Sequence, residues 1–167
     1  MAFPERFANL PPYAFPRLRA LLDGHPAGGP VRHMTIGEPK HKFPAWISDI
    51  IAQTADQFNA YPANDGTPEL RAAISGWFQR RFSVALYPDT QIMAANGTRE
   101  ALYNAAMALC PETKNGQRPV VLTPNPFYQV YMIAAISVGA EPVFVPATKD
   151  TGYLPDYAAL PADVLNR

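Results

Sequence analysis

An α/β domain with a largely parallel sheet is the fold class this sequence predicts, and three observations predict it. Short apolar runs at 92–95, 120–123 and 142–145 alternate with helical patterns at 98–109 and 127–138. Strands separated by helices pair in parallel, because the helix carries the chain back to the same edge. The runs are continuous rather than alternating in polarity, as in strands buried on both faces. Gly139 stands between the second helical pattern and the third run, where a C-capping glycine belongs. No internal repeat is present.

The other elements follow in order. Nineteen prolines are about twice average usage. They are spread along the chain, so low complexity does not explain them. Pro4, Pro11, Pro12, Pro16, Pro26 and Pro30 crowd the beginning. This reads as an extended arm over residues 1–30, holding one short helix at about 16–22. Residues 31–167 then form an incomplete α/β domain. Val31 to Ile36 is strand-like and breaks at Gly37-Glu38-Pro39. From Pro44 to about Phe58, Trp46, Ile47, Ile50, Ile51 and Ala55 recur at helical spacing. Asn64-Asp65-Gly66 is a turn, Thr67 an N-cap and Pro68 the favoured first helical residue. Leu70, Ile74, Trp77, Phe78 and Phe82 then trace one apolar face, with Arg71, Gln79 and Arg80 largely opposite. Residues 111–119 are a polar loop, and 151–167 enter a further element. Three such strands rarely close a domain, since their outer edges and faces need cover. A longer polypeptide or a partner chain is expected to supply it. The sequence taken alone should expose apolar surface and tend to associate.

Composition removes several classes. Acidic and basic residues balance at 14 each, leaving no basic footprint for nucleic acid or a membrane surface. The single cysteine, Cys110, excludes an internal disulfide framework and fits a reducing compartment. It falls late on a helical pattern and reads as a small apolar residue. His25, His33 and His41 lack metal-ligand spacing. Nothing approaches the ~20 apolar residues of a membrane span, and no signal-peptide core is visible. A cytoplasmic protein is the expectation by elimination.

The chemistry concentrates at two turns. In residues 91–106 an apolar run meets Asn96-Gly97-Thr98 and opens directly into a helix. The first amides of a helix have no partner inside it, and the macrodipole places partial positive charge there, so phosphate is the usual guest. The plainer alternative is a strand–helix turn whose glycine serves only geometry. In residues 120–131, a buried-type strand ends at Thr123-Pro124-Asn125-Pro126 and then presents Phe127 and Tyr128. The prolines push Thr123 and Asn125 out of the helical region, so the helix starts near Phe127. In open α/β sheets, ligands sit at the carboxyl ends of strands. A phosphate cradle and a flat ring at one edge suit a phosphorylated aromatic ligand. The alternative for Tyr128 is a core aromatic with a satisfied hydroxyl.

These pieces resemble, in order and spacing, the N-terminal part of the class I/II aminotransferases, the fold-type I enzymes that use pyridoxal 5′-phosphate. The resemblance runs from about Pro11 to Arg167. It is carried by Ile36-Gly37-Glu38-Pro39, by Tyr61 with Gly66 and Pro68-Glu69-Leu70-Arg71, by Asn96-Gly97-Thr98-Arg99-Glu100-Ala101-Leu102, and by Pro126-Phe127-Tyr128. The wording of the first, third and fourth is similar to that of succinyldiaminopimelate aminotransferases of lysine synthesis. The resemblance implies part of the large, mostly parallel-sheet domain of such a transferase, preceded by its arm. It implies that the amides of Gly97, Thr98 and Arg99 hold the cofactor phosphate and that Tyr128 lies flat on the ring. Tyr61 would reach the neighbouring subunit's phosphate in a homodimer clasped by the arm. The backbone of Gly37 would meet the substrate α-carboxylate. Without the family, Tyr61 could cap a hydrophobic cluster and Gly37 could be a turn glycine. Arg99 replaces a small hydroxyl residue, so its side chain can face solvent while its N–H serves. The resemblance also raises a cis Asn125–Pro126 bond as a separate expectation.

The Schiff-base lysine that transamination requires is not evident. Lys40, Lys42, Lys114 and Lys149 all read as solvated residues beside turns or loops. The expected function is therefore amino-group transfer between a donor, glutamate by expectation, and a keto acid, with this chain inert alone. Two alternatives stand beside it: a related β-lyase, and a non-catalytic fragment or interaction module. A dinucleotide-binding domain fits poorly, since no Gly-x-Gly-x-x-Gly follows a strand.

Overall fold

The computed structural model describes residues 4–34 and 36–167. It separates into two compact units, Pro11–Asn64 and a larger unit of Met1–Leu10 with Asp65–Arg167.

The smaller unit holds two helices, α1 (Ala14–Leu22) and α2 (Trp46–Gln53), followed by a 3-10 turn at Ala55–Asn59. The helical spacing predicted through residue 58 is interrupted at Thr54. Its hydroxyl donates to the Ile50 carbonyl at 2.9 Å, a back-bond that competes with helix continuation. The strand expected at 31–36 is not formed: residues 31–34 and 36 carry no ladder partner, and Thr35 lies outside the described residues. None of the described residues of this unit is buried.

The larger unit opens with α3 (Pro68–Phe82). The sequence signals for its start hold: the Thr67 hydroxyl accepts from the Leu70 N–H at 3.2 Å, and Pro68 is the first helical residue. Its burial differs from expectation. Leu70, Trp77 and Phe82 remain about half exposed, and the buried residue is Arg71. On the predicted apolar face Trp77 packs edge-on against Phe78 and Phe82, while Ile74 and Phe78 are partly buried. Arg71 is buried because three acceptors surround its guanidinium. A short helix that the apolar pattern does not announce, α4 (Pro88–Gln91), follows.

Residues 92–95, expected as a strand, are instead extended without a ladder. Ile92 has strand-like dihedrals, but the segment's backbone bonds are Ala94 N–H to Asp65 O and Gly97 N–H to Ala95 O. A β run becomes a strand only when a neighbouring backbone completes the ladder. Helix α5 (Thr98–Leu109) begins and ends where predicted.

The core is the unit β1 (Val120–Asn125), α6 (Gln129–Ser137) and β2 (Glu141–Pro146). The strands pair in parallel, Val120 opposite Glu141 through Asn125 opposite Pro146. This is the only sheet among the described residues. Helix α6 packs on both strands and on α5. It buries Val130, Met132, Ala134 and Ala135 against Ala140 and Val145. Gly139 (φ +79°) ends α6 as predicted. Its N–H bonds Ile136 O and the Ala140 N–H bonds Ala135 O, the paired bonds of a Schellman cap. Arg118 reinforces the corner by donating to the carbonyls of Gly139 and Ala140 at 2.8 and 2.9 Å. The last element is α7 (Ala162–Leu165). Next to it, Arg167 pairs with Glu141 and its carbonyl accepts from Val120 N–H.

Two measurements check this packing. The Thr123 hydroxyl is fully buried in β1 with no partner among the described residues. Replacing it by the isosteric Val removes an unmet polar group, so Thr123→Val should raise unfolding free energy by about 1–2 kcal/mol in a denaturant titration. In α3, the Glu69 carboxyl is held below the ordinary glutamate value by its own backbone N–H, then by the Thr67 hydroxyl and the Arg71 charge. A depressed value stabilises the fold above the unfolded-state pKa, and that contribution fades as pH falls through the folded-state value. An NMR titration should place Glu69 below ordinary glutamates, and Thr67→Ala should move it upward.

Candidate cofactor and substrate site

Two turns of the larger unit carry the candidate groups. Gly97 caps α5 with φ +92° and ψ 154°. That region of backbone space is essentially closed to residues with a Cβ. The turn is therefore glycine by necessity. A Cβ added there would meet nothing within 4 Å, so the requirement is conformational and not one of space. No side chain caps α5. The N–H groups of Thr98, Arg99 and Glu100 have no acceptor among the described residues, and the first helical bond is Ala101 N–H to Gly97 O. Residues 96–100 are all exposed, including the Arg99 side chain. Free amides at the positive end of a helix dipole are the donor set that a phosphate group requires.

The second turn leaves β1. The Asn125–Pro126 bond is cis, as expected. Phe127 packs on Phe144 of β2, with ring centroids 4.7 Å apart. Phe127 is 37% exposed and Tyr128 45%, and the Tyr128 ring meets not the sheet but Tyr131, edge-on at 5.8 Å. Adjacent aromatics thus divide the work: one anchors the turn to the sheet and the other presents a ring. This disfavours the core-aromatic alternative for Tyr128. Helix α6 starts at Gln129, two residues later than predicted, because Phe127 and Tyr128 belong to the turn. Both turns open helices that pack on each other, α5 and α6.

Tyr61 and Gly37 belong to the smaller unit. Tyr61 is fully exposed and packs on nothing within that unit. Gly37 is exposed in irregular backbone, and a Cβ added to it would meet nothing within 4 Å. Lys40, Lys42, Lys114 and Lys149 are all exposed. Cys110 is the C-cap of α5 and only half-buried.

One group beside this site, Arg71, is absent from the residues the sequence singles out as functional. It donates to the Asp65 carboxylate, to Gly66 O at 2.8 Å and to the Asp89 carboxylate at 3.2 Å. Asp65 in turn accepts the Ala94 N–H on its carbonyl at 2.9 Å. The one sequence signal is an arginine four residues after an N-cap, in a stretch with acidic residues on either side.

With this geometry in place, comparison with known proteins identifies the family. The family model for aminotransferase class I and II matches residues 31–166. The chain is 33% identical to an LL-diaminopimelate aminotransferase of Dehalococcoides mccartyi, covering 100% of this chain and 42% of that protein. It is 35% identical to another protein of that name from Desulforudis audaxviator, covering 43% of it. Among solved structures, an aminotransferase from Neisseria meningitidis superposes with a TM-score of 0.86 at 32% identity, over 96% of this chain and 41% of that one. The aminotransferase AspB from Helicobacter pylori gives 0.80 at 34%, over 94% and 40%. The chain belongs to the class I and II aminotransferase family, with that family's α/β fold. It spans about two fifths of the length of these relatives. No helix among the described residues is long and apolar enough to cross a membrane.

The two glycines of the site should respond differently to a methyl group. Gly97→Ala should cost about 1–3 kcal/mol from backbone strain alone. At Gly66 (φ +90°) the same change also drives a Cβ to 2.8 Å from the Ala94 Cβ. Gly66→Ala should therefore lower the denaturation midpoint further than Gly97→Ala does.

Proposed function

We propose that this chain is the N-terminal, cofactor-holding part of a pyridoxal 5′-phosphate-dependent aminotransferase of lysine synthesis, working as a cytoplasmic homodimer. The observation that carries this reading is the uncapped start of α5, where three exposed amides stand free behind a turn only glycine can make. Of the three amides the resemblance implies, at Gly97, Thr98 and Arg99, those of Thr98 and Arg99 would hold the cofactor phosphate. Gly97 serves chiefly through its conformation, because its own N–H is already bonded to Ala95 O. Glu100 N–H is free as well, so Thr98, Arg99 and Glu100 form the better donor set. Tyr128 would cover one face of the ring and exclude water from it. Tyr61, exposed and unpacked in its own unit, would hydrogen-bond the phosphate held by a second subunit. The Gly37 backbone would meet the substrate α-carboxylate.

When bound, pyridoxal phosphate withdraws electrons from the substrate α-carbon and so makes its proton removable. The groups in this chain bind and orient; none is assigned to moving that proton. The four lysines are exposed. This stretch alone is therefore proposed to be inert, with the lysine for proton transfer supplied by the rest of the polypeptide.

The substrate is proposed to have the diaminopimelate skeleton, with glutamate and its keto acid as the other pair. The wording of three motifs favours the N-succinylated form, and the names of the relatives favour the free form. Assaying the complete polypeptide with both substrates and 2-oxoglutarate decides between them: the true substrate should lead in kcat/KM by at least about tenfold, roughly 1.4 kcal/mol of transition-state binding. Activity on neither, with release of a sulfur or other β-substituent instead, would make the β-lyase reading correct. Activity of the 167-residue chain alone would refute its assignment as a non-catalytic part.

A further inference from the structure

Among the described residues of the larger unit one cation is buried, Arg71, whose side chain is 10% exposed. Nothing in the proposed chemistry uses it. Its surroundings form a joint. Nη1 donates to the Asp65 carboxylate and to Gly66 O, and Nη2 to the Asp89 carboxylate of α4. Asp65 works in two directions: its side chain accepts from Arg71, and its carbonyl accepts the Ala94 N–H at 2.9 Å. Gly66 lies so close to Ala94 that a Cβ would stand 2.8 Å from the Ala94 Cβ. The segment 92–95 is thus tied to this joint at Ala94. Two residues beyond Ala94 the Asn96-Gly97-Thr98 turn begins.

We infer that Arg71 is a positioning residue for the phosphate of the cofactor, acting through Asp65 and Ala94 on the free amides that open α5. The guanidinium is suited to this role because its planar fork can hold three acceptors at fixed angles. Lysine carries the same charge without that fork. The two carboxylates more than offset the buried charge, so the cluster offers no net attraction to phosphate. Its effect is geometric. The segment before a phosphate turn must be rigid for the amides to be preorganised, and the tie from Arg71 through Asp65 to Ala94 contributes to that rigidity.

The inference rests on the cofactor reading above, and the experiment separates the two. Arg71→Lys in the complete polypeptide, stripped of cofactor, is titrated with pyridoxal 5′-phosphate and with pyridoxal, which lacks the phosphate. Affinity for pyridoxal phosphate should fall at least about tenfold, while affinity for pyridoxal changes by less than about twofold. In the cofactor-free protein, hydrogen exchange should quicken at residues 94–100 and stay unchanged in α6. Asp65→Ala, at a side chain 58% exposed, perturbs the same joint without emptying a buried site and should give the same pattern if Arg71→Lys fails to fold. Equal loss of both ligands, or no loss of either, overturns the role of Arg71 and leaves the cofactor reading standing. Failure of the unaltered protein to bind pyridoxal phosphate overturns both.

Discussion

The arrangement depends on backbone donors left without acceptors at the start of α5. Among the described residues α1, α2, α4, α6 and α7 also start without a side-chain cap, so what sets α5 apart is the glycine turn that precedes it. Helix α3 satisfies an N-terminal amide with Thr67, and the turn at Tyr157–Ala159 uses the Asp156 carboxylate in the same way. Helix α5 has glycine at that position and no side-chain cap. Replacing a capping side chain by a residue that cannot cap costs about 1 kcal/mol in typical cases. The cost is tolerable if an anion completes the helix. A glycine with φ +92° and ψ 154° does more than omit a cap. It turns the chain abruptly from an extended segment into the helix, which keeps the preceding residues clear of the free amides.

Those donors are useful only on a fixed platform, and the platform is small. Among the described residues the buried apolar core is essentially α6 against β1 and β2. Phe127 ties the aromatic turn to strand β2 through Phe144, and α5 reaches the core by packing on α6. Beneath α5 an open groove of about 570 Å³ runs along β1, lined by Leu102, Leu109, Val121, Leu122 and Tyr131. Many large apolar side chains elsewhere are also exposed, among them Met93 and Leu154. This agrees with the sequence expectation that the stretch needs cover, and with its spanning only about two fifths of its relatives.

Legibility in the sequence follows a physical rule. Features decided by one residue's backbone preference are readable: the Thr67 cap, the start at Pro68, the Gly139 cap and the turn at Gly97. The β1–α6–β2 unit is readable because continuous apolar runs and a capped helix leave few other arrangements. Residues 31–36 and 92–95 look like strands in the sequence, yet the described residues of both segments form none, because extended propensity does not reveal whether a neighbouring backbone will pair. Arg71 looks solvent-facing by helical periodicity and is buried. Its burial depends on Asp65, Gly66 and Asp89 converging in space, and no periodicity encodes that. Of the two aromatics at 127–128, the sequence locates both but does not say which faces the sheet. The packing of Phe127 on Phe144 decides it.

The unit Pro11–Asn64 follows the same reasoning to its limit. It contains two helices and a run of large apolar side chains, yet none of its described residues is buried, and Phe43, Trp46, Phe58 and Tyr61 all stand well exposed. Ordering a residue costs roughly 1–2 kcal/mol of backbone entropy, which burial must offset. A segment with no core of its own cannot offset it internally, so whatever holds these helices must lie outside the segment. That requirement is independent of any likeness to other proteins.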